Sequence, residues 1–486
     1  MPPVGRNVIA RRTVVRAGLA AAGTGLLAGC TSGADLPAGL VLPTDPSVSL
    51  AEARRPASGV VRAYPVSAQV DTVDLGGPAV TTWTYGGQLP GRELRVRVGD
   101  TVEAVLANRL PVETSIHWHG LALRNDMDGA PMLTQPAVPP GGTFTYRFVA
   151  ATPGTHWLHP HSGTQLDRGL YAPLIVEDPA EPGDYDQDWL VLLDDWVDGT
   201  GRTPDDVLAD LRAGGDHMAG MSRAAGRGGD VDYPYYLING RIAEAPVGWT
   251  GTPGQRARIR LVNAASDTAF RVAIGGHRLR VTHTDGFPVR PVDADALLIG
   301  MGERYDVMIT LADGVFPLVA LAEGKAGGAL GLIRTGAGEP PLTTVRPAEL
   351  DGALTGYPSL VAESRVRLPA RTPDVEHRLD LTGGMMGYRW GINGAPLDMS
   401  QRLPVRQGQR MRIVFTNHTM MWHPMHVHGH TFQLGNSGPR KDTVIVLPGR
   451  KVACDLDADN PGQWMIHCHN TYHSEAGMAT VLGYRS

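Results

Sequence analysis

Cysteine is scarce in this sequence: three residues of this type, at positions 30, 454 and 468, occur among 486. If Cys30 carries a lipid, at most one disulfide pair is left, and we expect none. Cys454 is predicted to be a buried small hydrophobic residue. Cys468, which stands between two histidines, needs a chemical explanation instead.

Aromatic residues and positive charge are also in short supply. Aromatics make up 6% of the chain, against 61 glycines and 38 prolines, which suits short strands joined by many turns rather than long helices. The formal net charge is -5, and no basic run supplies the footprint that phosphate binding needs, which excludes nucleic acid as a partner. A globular chain of this length is expected to form two to four domains.

The first thirty residues have the features of a targeting segment. Arg11 and Arg12 precede a mild apolar stretch, 17–28, which is too short to span a membrane as a mature helix. The arginine pair resembles a twin-arginine export signal, and Leu-Ala-Gly-Cys ending at Cys30 resembles a bacterial lipobox. An ordinary secretory signal is the alternative. We expect a signal peptide over 1–29, recognised by export machinery, a flexible tether over 30–58, and a lipid on Cys30 that anchors the protein to the membrane of the bacterial envelope.

One unit recurs three times along the rest of the chain. A glycine is followed nine positions later by an asparagine, and the intervening stretches alternate polar and apolar residues. The three copies are Gly99 to Asn108, Gly254 to Asn263 and Gly408 to Asn417. Because the copies are about 155 residues apart, the sequence predicts three similar β-domains.

Histidine pairs of the form His-x-His follow the first and third copies only. The four pairs are His117 and His119, His159 and His161, His426 and His428, and His467 and His469. Residues i and i+2 of a strand project from the same face, so each pair presents two imidazoles side by side. A single pair would most simply be structural, and imidazole alone does not choose among Zn, Cu, Fe and Ni. Four pairs at repeat-equivalent positions indicate one metal cluster, shared by the outer domains.

The metal is identified by Cys468. Because it lies between His467 and His469, it must point to the opposite face of the strand, toward a second site. The predicted donors of that site, called here the blue-copper site, are His423, Cys468, His473 and Met478. Two imidazoles, a thiolate and a weak axial thioether are typical of blue-copper electron-transfer centres, whereas zinc rarely uses axial sulfur. The matching positions of the first domain carry residues that bind copper poorly: Thr114, Pro160, Gln165 and Leu170.

These motifs together resemble those of three-domain multicopper oxidases, the laccase and copper-resistance oxidase family, from about residue 60 to the end. The lipobox, the axial methionine and the run 420–426 look most similar to actinobacterial copper-resistance oxidases. The resemblance implies an all-β chain of three consecutive cupredoxin-like Greek-key domains. The expected boundaries are 59–182 for the first domain, 183–340 for the second, without copper, 341–370 for a linker and 371–486 for the third.

The resemblance also implies four copper ions per chain: one type 1 ion in the blue-copper site, one type 2 ion and two type 3 ions. By motif position, the type 2 copper would be held by His117 and His426. The ligands of the first type 3 copper would be His119, His159 and His469. The ligands of the second type 3 copper would be His161, His428 and His467.

Two acids and one methionine are further candidates. Asp128 matches the family's acid near the type 2 copper and would act as general acid or proton relay, with a turn residue as the alternative. Glu475 matches a glutamate of fungal laccases, whereas several bacterial relatives have their relay acid where Ser474 stands here. Met421 matches a substrate-contacting methionine of copper-efflux oxidases, although the acid two residues earlier is Thr419 here. The alternative for Met421 is packing between domains.

The expected activity is an oxidase that takes electrons singly and passes them to dioxygen, giving water. Cys468 is bonded in sequence to a cluster ligand on either side, so electrons have a short covalent route out of the blue-copper site. Cu(I) is the predicted substrate, with Fe(II) and phenols as further candidates, in copper detoxification. A general phenol oxidase without metal-ion preference is the alternative. A copper-free structural protein is disfavoured because all twelve ligand positions are filled, and a copper store or carrier is disfavoured because it would not need an isolated blue-copper site connected to a cluster. We expect a monomer.

Overall fold

The computed structural model describes residues 38–214 and 228–486. Strands account for 45% of the structure and helices for 9%, so the predicted fold class, all-β with three cupredoxin-like domains, is confirmed. The predicted signal peptide and the lipidation site Cys30 lie outside the described residues. Cys454 and Cys468, the two cysteines within them, are buried and free, as expected.

The first domain contains two four-stranded sheets, ordered β2-β1-β4-β6 and β3-β8-β7-β5, which share one hydrophobic core. Strand β4 shows why the alternating sequence forms a strand, since every second side chain, Val102, Ala104 and Leu106, faces that core. The strands are β1 (Val61–Asp74), β2 (Ala79–Tyr85), β3 (Leu94–Arg97), β4 (Thr101–Asn108), β5 (His117–His119), β6 (Thr143–Val149), β7 (Gly154–His159) and β8 (Ala172–Glu177).

The second domain contains two six-stranded sheets, ordered β10-β9-β12-β17-β14-β15 and β11-β19-β18-β13-β16-β20. Its strands are β9 (Gln187–Trp196), β10 (Tyr235–Ile238), β11 (Val247–Thr250), β12 (Arg256–Asn263), β13 (Phe270–Ile274), β14 (Leu279–Thr284), β15 (Phe287–Ala294), β16 (Ala296–Ile299), β17 (Arg304–Thr310), β18 (Val315–Ala322), β19 (Gly328–Arg334) and β20 (Leu354–Thr355). The last of these, β20, belongs to the stretch that connects the second domain to the third.

The third domain contains a six-stranded and a five-stranded sheet, ordered β22-β21-β24-β29-β26-β27 and β23-β31-β30-β25-β28. Its strands are β21 (Val375–Gly384), β22 (Arg389–Ile392), β23 (Leu403–Arg406), β24 (Arg410–Asn417), β25 (His423–Val427), β26 (Phe432–Leu434), β27 (Arg440–Lys441), β28 (Thr443–Val446), β29 (Lys451–Asp457), β30 (Gln463–Cys468) and β31 (Ala479–Arg485).

The helices of the described residues are short: α1 (Pro46–Ala53), α2 (Pro204–Ala213) and α3 (Thr471–Glu475). None of them has the length and apolar character that crossing a bilayer requires. The helix that bears on function is α3, which follows β30 directly and carries His473.

The repeated asparagine does the same work in each domain. Asn108, Asn263 and Asn417 each end a strand, and the Nδ2 group of each donates to two backbone carbonyls. Each asparagine Oδ1 also accepts the N–H two residues later. The side chain thus holds the turn after the strand against a neighbouring segment, which explains why the repeat preserves an asparagine at this point.

The expected flexible tether is wrong for residues 38–58. Helix α1 begins after Asp45, whose carboxylate accepts the Ser47 N–H at 2.8 Å, and Val48 of this helix is buried. Val41 is buried too, and its N–H donates to the carbonyl of Tyr484 in β31 at 2.9 Å. The prediction was wrong because it rested on the small and polar residues of this stretch and gave no weight to its two buried valines. Residues 30–37 of the predicted tether lie outside the described residues.

Candidate metal centre

Two equivalent strand pairs bring the paired histidines together. In the first domain β5 runs antiparallel to β7, with His117 opposite His159. In the third domain β25 runs antiparallel to β30, with His426 opposite His467. All eight predicted imidazoles gather in one group at the junction of these domains, called here the histidine cluster.

Several ring nitrogens of the histidine cluster lie close to one another, in an arrangement that hydrogen bonding between the rings does not explain. The Nε2 atoms of His117 and His426 are 3.4 Å apart. Nε2 of His467 lies 3.3 Å from that of His161 and 3.1 Å from that of His428. The predicted pairing of His117 with His426, and of His161 with His428 and His467, is therefore matched by proximity.

The donors of the histidine cluster fit metal ions rather than hydrogen bonds. Four buried ring atoms of the cluster have no hydrogen-bond partner: Nδ1 of His119, Nε2 of His159 and both ring nitrogens of His469. Such orphaned atoms are rare in protein interiors. Burial lowers the pKa of His119, His159, His161, His428, His467 and His469 well below that of free imidazole. The neutral ring is the form that binds a metal.

The blue-copper site lies where β30 meets α3. The Sγ of Cys468, the last residue of β30, is 3.6 Å from Nδ1 of His423 and 3.7 Å from Nδ1 of His473. The two Nδ1 atoms are 3.0 Å apart, and all three side chains are fully buried. A thiol and two imidazole nitrogens that converge on one point fit the equatorial donors of a blue-copper centre.

The backbone around α3 connects Met478 to this site. The Met478 N–H donates to the carbonyl of His473 at 2.9 Å, and the Met478 carbonyl accepts the Cys468 N–H at 3.0 Å. The side chain of Met478 is fully buried. The structure therefore holds the backbone of the predicted axial residue against those of Cys468 and His473.

Residues not predicted from the sequence contact the Nε2 atoms of the two blue-site histidines. Asp230 Oδ2 lies 2.7 Å from Nε2 of His473 and accepts the Tyr388 hydroxyl at 2.8 Å. Burial lowers the pKa of His473, but the Asp230 carboxylate outweighs it and raises that pKa to about 10. On the other histidine, Thr419 Oγ1 lies 2.8 Å from Nε2 of His423. The ring of Trp390 lies 4.1 Å, between centroids, from that of His473.

Asp128 contacts two members of the histidine cluster. Its Oδ2 lies 2.9 Å from Nδ1 of His428, and its Oδ1 lies 3.2 Å from Nδ1 of His117. The turn that follows Asp128 accepts only glycine at position 129, because a Cβ on Gly129 would lie 1.7 Å from the carbonyl oxygen of Ile116. Asp128 therefore orients one predicted type 2 and one predicted type 3 ligand, and its role as proton relay stays a prediction.

Glu475 borders a small cavity that reaches the histidine cluster. The cavity has a volume of about 30 Å³, which is enough for a water molecule. Its lining includes His159, His161, His467, Ser474 and Glu475. Burial raises the pKa of the Glu475 carboxyl above its usual range. The position suits the predicted proton relay, which stays a prediction.

Met421 lies in the turn between β24 and β25, two residues before His423. Its side chain is partly buried against the hydrophobic core, and its carbonyl accepts from Asn417 Nδ2 at 2.7 Å. Its neighbour Met420 is 72% exposed. Both the predicted substrate contact and the alternative of interdomain packing are compatible with this placement.

Sequence motifs could not have found Asp230 or the buried Asp442. Asp442 Oδ1 lies 3.1 Å from Nε2 of His119, in another domain. The contact of Asp230 with His473 and that of Asp442 with His119 form only when domains meet, although Asp442 also lies 3.4 Å from Nδ1 of His426 in its own domain. Closeness in sequence to the histidine motifs would have favoured Asp126 as strongly as Asp230 or Asp442. In the structure Asp126 instead pairs with Arg124.

Comparison with known families gives three matches along the chain. Family models described as "Multicopper oxidase" match residues 67–181, 187–337 and 370–485. Among curated proteins, the chain is 50% identical to the multicopper oxidase MmcO of Mycobacterium tuberculosis, over 90% of each chain. It is 29% identical to copper resistance protein A of Escherichia coli, over 84% of this chain and 90% of that protein.

Solved structures with the same fold are also oxidases. Fet3p, titled a multicopper oxidase that functions in iron import, superposes with a TM-score of 0.76 at 22% identity, over 87% of this chain and 90% of that one. The laccase from Botrytis aclada superposes with a TM-score of 0.73 at 26% identity, over 90% and 89% of the two chains. The likeness to Fet3p concerns the fold alone.

Proposed function

Because this chain belongs to the multicopper oxidase family and is a laccase-type oxidoreductase, we propose that it oxidises Cu(I) and reduces dioxygen to water, in copper detoxification. Fe(II) and phenols are proposed as further substrates. The observation that carries the proposal is the pair of methionines beside His423, partly buried Met421 and exposed Met420. Soft thioethers suit Cu(I). Similarity to a relative named copper resistance protein A supports a role in copper detoxification.

Copper would be held by the two sets of donor side chains described above, the blue-copper site and the histidine cluster. The blue-copper site would take one ion, and the histidine cluster would take three, as in the predicted assignment. When bound, these ions supply the one-electron redox chemistry and the place where dioxygen is reduced. The remaining steps depend on what the chain itself provides.

Electron transfer is favoured by the chain around Cys468. Its peptide neighbours, His467 and His469, belong to the histidine cluster, so the route from thiolate to cluster is covalent. The Cys468 carbonyl lies 2.9 Å from Nδ1 of His467, where the ring N–H donates to it. This hydrogen bond offers a second, shorter path from the blue-copper site to the cluster.

Proton supply would rest on the two acids. Asp128 holds the rings of His117 and His428 by their Nδ1 atoms and stands close enough to exchange a proton with water at the cluster. Glu475 borders the cavity, and burial raises the pKa of its carboxyl, which favours the protonated form that can donate. Dioxygen reduction to water consumes protons, so both positions suit the reaction.

The substrate proposal is tested by Met421→Leu, which removes a sulfur donor and nearly conserves volume. The KM for Cu(I) should rise severalfold, while phenol oxidation changes little. Met308→Leu, a partly buried methionine in β17, is the matched control and should alter neither. Equal effects of Met421→Leu on both substrates, or none on either, would favour a general phenol oxidase.

We propose further that the protein is exported by the twin-arginine route and anchored to the cell membrane by a lipid on Cys30, as a monomer. The lipid on Cys30 is the one anchor that we propose, so its removal should release the protein from the membrane. Cys30→Ala should leave export intact and free the protein from membranes. Replacing Arg11 and Arg12 by lysine should trap it inside the cell. A Cys30→Ala protein that still fractionates with membranes would contradict the anchor.

A further inference from the structure

The middle domain supplies no predicted ligand, yet a segment of it reaches the histidine cluster. Gly302, in the turn before β17, has a φ of +81°, and a Cβ added there would lie 2.8 Å from Cδ2 of His469 and 3.1 Å from Cε1 of His119. Contacts below about 3.4 Å leave no room for a methyl group. The backbone of this turn is therefore packed directly against two rings that the sequence assigns to the same type 3 copper.

Two residues further on, Arg304 extends from the start of β17 into the same region. Its guanidinium forms a bidentate pair with Asp442, at 2.7 Å from Nη1 to Oδ1 and 2.6 Å from Nη2 to Oδ2. Its Nε donates to the carbonyl of Thr155 in β7 at 3.0 Å. Arg304 and Asp442 are both fully buried. One side chain of the middle domain thus joins both outer domains.

Asp442 in turn contacts two members of the histidine cluster, since its Oδ1 approaches His119 and lies 3.4 Å from Nδ1 of His426. A carboxylate paired with arginine is ionised and can only accept hydrogen bonds. Asp442 Oδ1 lies 3.1 Å from Nε2 of His119, so that nitrogen carries the proton and donates it. The Nδ1 of His119 is then a free lone pair, and it has no partner in the protein.

His119 differs in this respect from most of the cluster. Five other rings use Nδ1 for a protein contact and leave Nε2 toward the cluster: His117, His159, His426, His428 and His467. Only the contact with Asp442, supported by the Thr443 hydroxyl at 3.1 Å from Nε2, reverses the orientation at His119. Without it, the ring could turn over and offer the other nitrogen.

We propose that Arg304 is a positioning residue of the histidine cluster: by clamping Asp442 it fixes the His119 ring with Nδ1 toward the metal. Gly302 completes this arrangement by allowing the backbone to pack beneath His119 and His469. The middle domain, without ligands of its own, thereby sets the geometry of one copper ion in the outer domains. Partners of this kind orient metal ligands and raise metal affinity. The inference does not depend on which substrate the enzyme oxidises.

The test compares Arg304→Gln with Arg258→Gln in the full-length protein. Arg258 is the matched control because it is an equally buried arginine of the middle domain, held by Asp306. Copper affinity is measured by competition with a chelator, and the copper sites are followed by EPR and by the blue absorption. Arg304→Gln should lower the affinity of the cluster roughly 10- to 100-fold and leave the blue band intact.

EPR distinguishes positioning from general destabilisation. The two ions of a coupled copper pair are silent together, so loss of the ion at His119 should make its neighbour visible. Arg258→Gln should lower the unfolding temperature and leave the EPR spectrum unchanged. If Arg304→Gln behaves like Arg258→Gln, with unchanged copper affinity and spectrum, Arg304 is only structural and the proposal is overturned.

A second pair of variants decides the matter if Arg304→Gln does not fold. Arg304→Lys keeps the charge and loses the bidentate geometry, so it should give an intermediate loss of cluster copper. Gly302→Ala and Gly254→Ala both place alanine at a positive φ, +81° and +88°, but a Cβ at Gly254 meets nothing within 4 Å. Gly302→Ala should lose cluster copper and Gly254→Ala should keep it. Wild-type copper content in both Arg304→Lys and Gly302→Ala would overturn the proposal.

Discussion

The first and third domains place different pairs of side chains at the same point of the same scaffold. In the third domain, His423 and His473 bring two Nδ1 atoms to 3.0 Å beside Cys468. In the first domain the equivalent residues are Thr114 and Gln165, and the threonine hydroxyl donates to the glutamine Oε1 at 2.7 Å.

The difference shows how the same fold can form a metal site in the third domain and an ordinary hydrogen-bonded pair in the first. The first-domain pair satisfies itself, and Gln165 Nε2 also donates to the Glu113 carbonyl at 2.8 Å. The third-domain pair leaves two ring nitrogens and a thiol facing one another. Three donor atoms that converge on one buried point suit a metal ion, whereas the first-domain pair is satisfied by its own hydrogen bonds.

The largest effect is expected for Cys468→Ser, which removes the thiolate donor that the first domain replaces with Pro160. The blue absorption and nearly all oxidase activity should disappear, since the thiolate is both chromophore and electron entry. The histidine cluster should retain its copper, as measured by metal analysis and EPR. Turnover at a comparable rate would overturn the ligand assignment.

A smaller effect is expected at the equivalent acids Glu475 and Asp167. Glu475→Gln should slow dioxygen reduction by up to about 100-fold, the lower end of what a positioned proton donor contributes. Asp167, whose Oδ2 accepts the hydroxyls of Tyr472 and Tyr233, borders no such cavity among the described residues. Asp167→Asn should therefore leave turnover nearly unchanged in the same oxygen-uptake assay. If both variants slowed oxygen uptake equally, the position of Glu475 beside the cavity would not explain its effect, and the two domains would not differ in this respect.

The same glutamate should affect stability against pH. Burial raises the pKa of Glu475, so the folded protein holds its proton more tightly than the unfolded chain does. Stability should then fall as pH rises from the ordinary glutamate range toward the raised pKa. Denaturant unfolding of copper-free protein across this range should show a shallower fall for Glu475→Gln. An identical slope would indicate that the carboxyl does not contribute.

Met478→Leu converts the axial position to the residue found in the first domain, Leu170. Loss of a weak sulfur donor should raise the blue-site potential while copper remains bound. Stability should change by less than about 1.5 kcal/mol, because leucine and methionine have similar volumes. Redox titration of the blue band measures the shift, and Leu170→Met, the reverse change in the first domain, should leave it unaltered. An unchanged potential in Met478→Leu would mean that Met478 only packs beside the site.

The smallest expected effect is a free energy, the coupling between the two side chains that occupy the paired positions. The double variant His423→Thr with His473→Gln should install the first-domain hydrogen bond in the third domain and abolish blue copper. In copper-free protein, a double-mutant cycle by urea unfolding should give a favourable coupling of about 1 kcal/mol between the two substitutions. Additive effects would show that the scaffolds differ more than the sequence repeat suggests.

The convergence of the paired histidines could be predicted from the sequence because the geometry of each pair is local. Residues i and i+2 of a strand share a face, so the His-x-His pairs and the opposite projection of Cys468 follow from strand geometry alone. The residues that orient these ligands could not be predicted in this way. Asp230, Arg304 and Asp442 act across domain boundaries, and no spacing along the chain encodes such contacts.

The misjudged tether has a similar physical cause. Composition predicted a flexible stretch over 30–58, but Val41 and Val48 find complementary surfaces that only the assembled domains provide. Burial of two valines is worth several kcal/mol, enough to order a short stretch of chain. Fold class and domain number depend on features that recur along the whole chain and are accordingly easier to predict.

The first described residues lie against the end of β31. Leu40 forms a β-bridge with Arg485, and the Ser486 N–H donates to the carbonyl of Gly39, so the two ends of the described chain meet at one place. Residues 39–41 and the last strand of the third domain therefore hold each other in place.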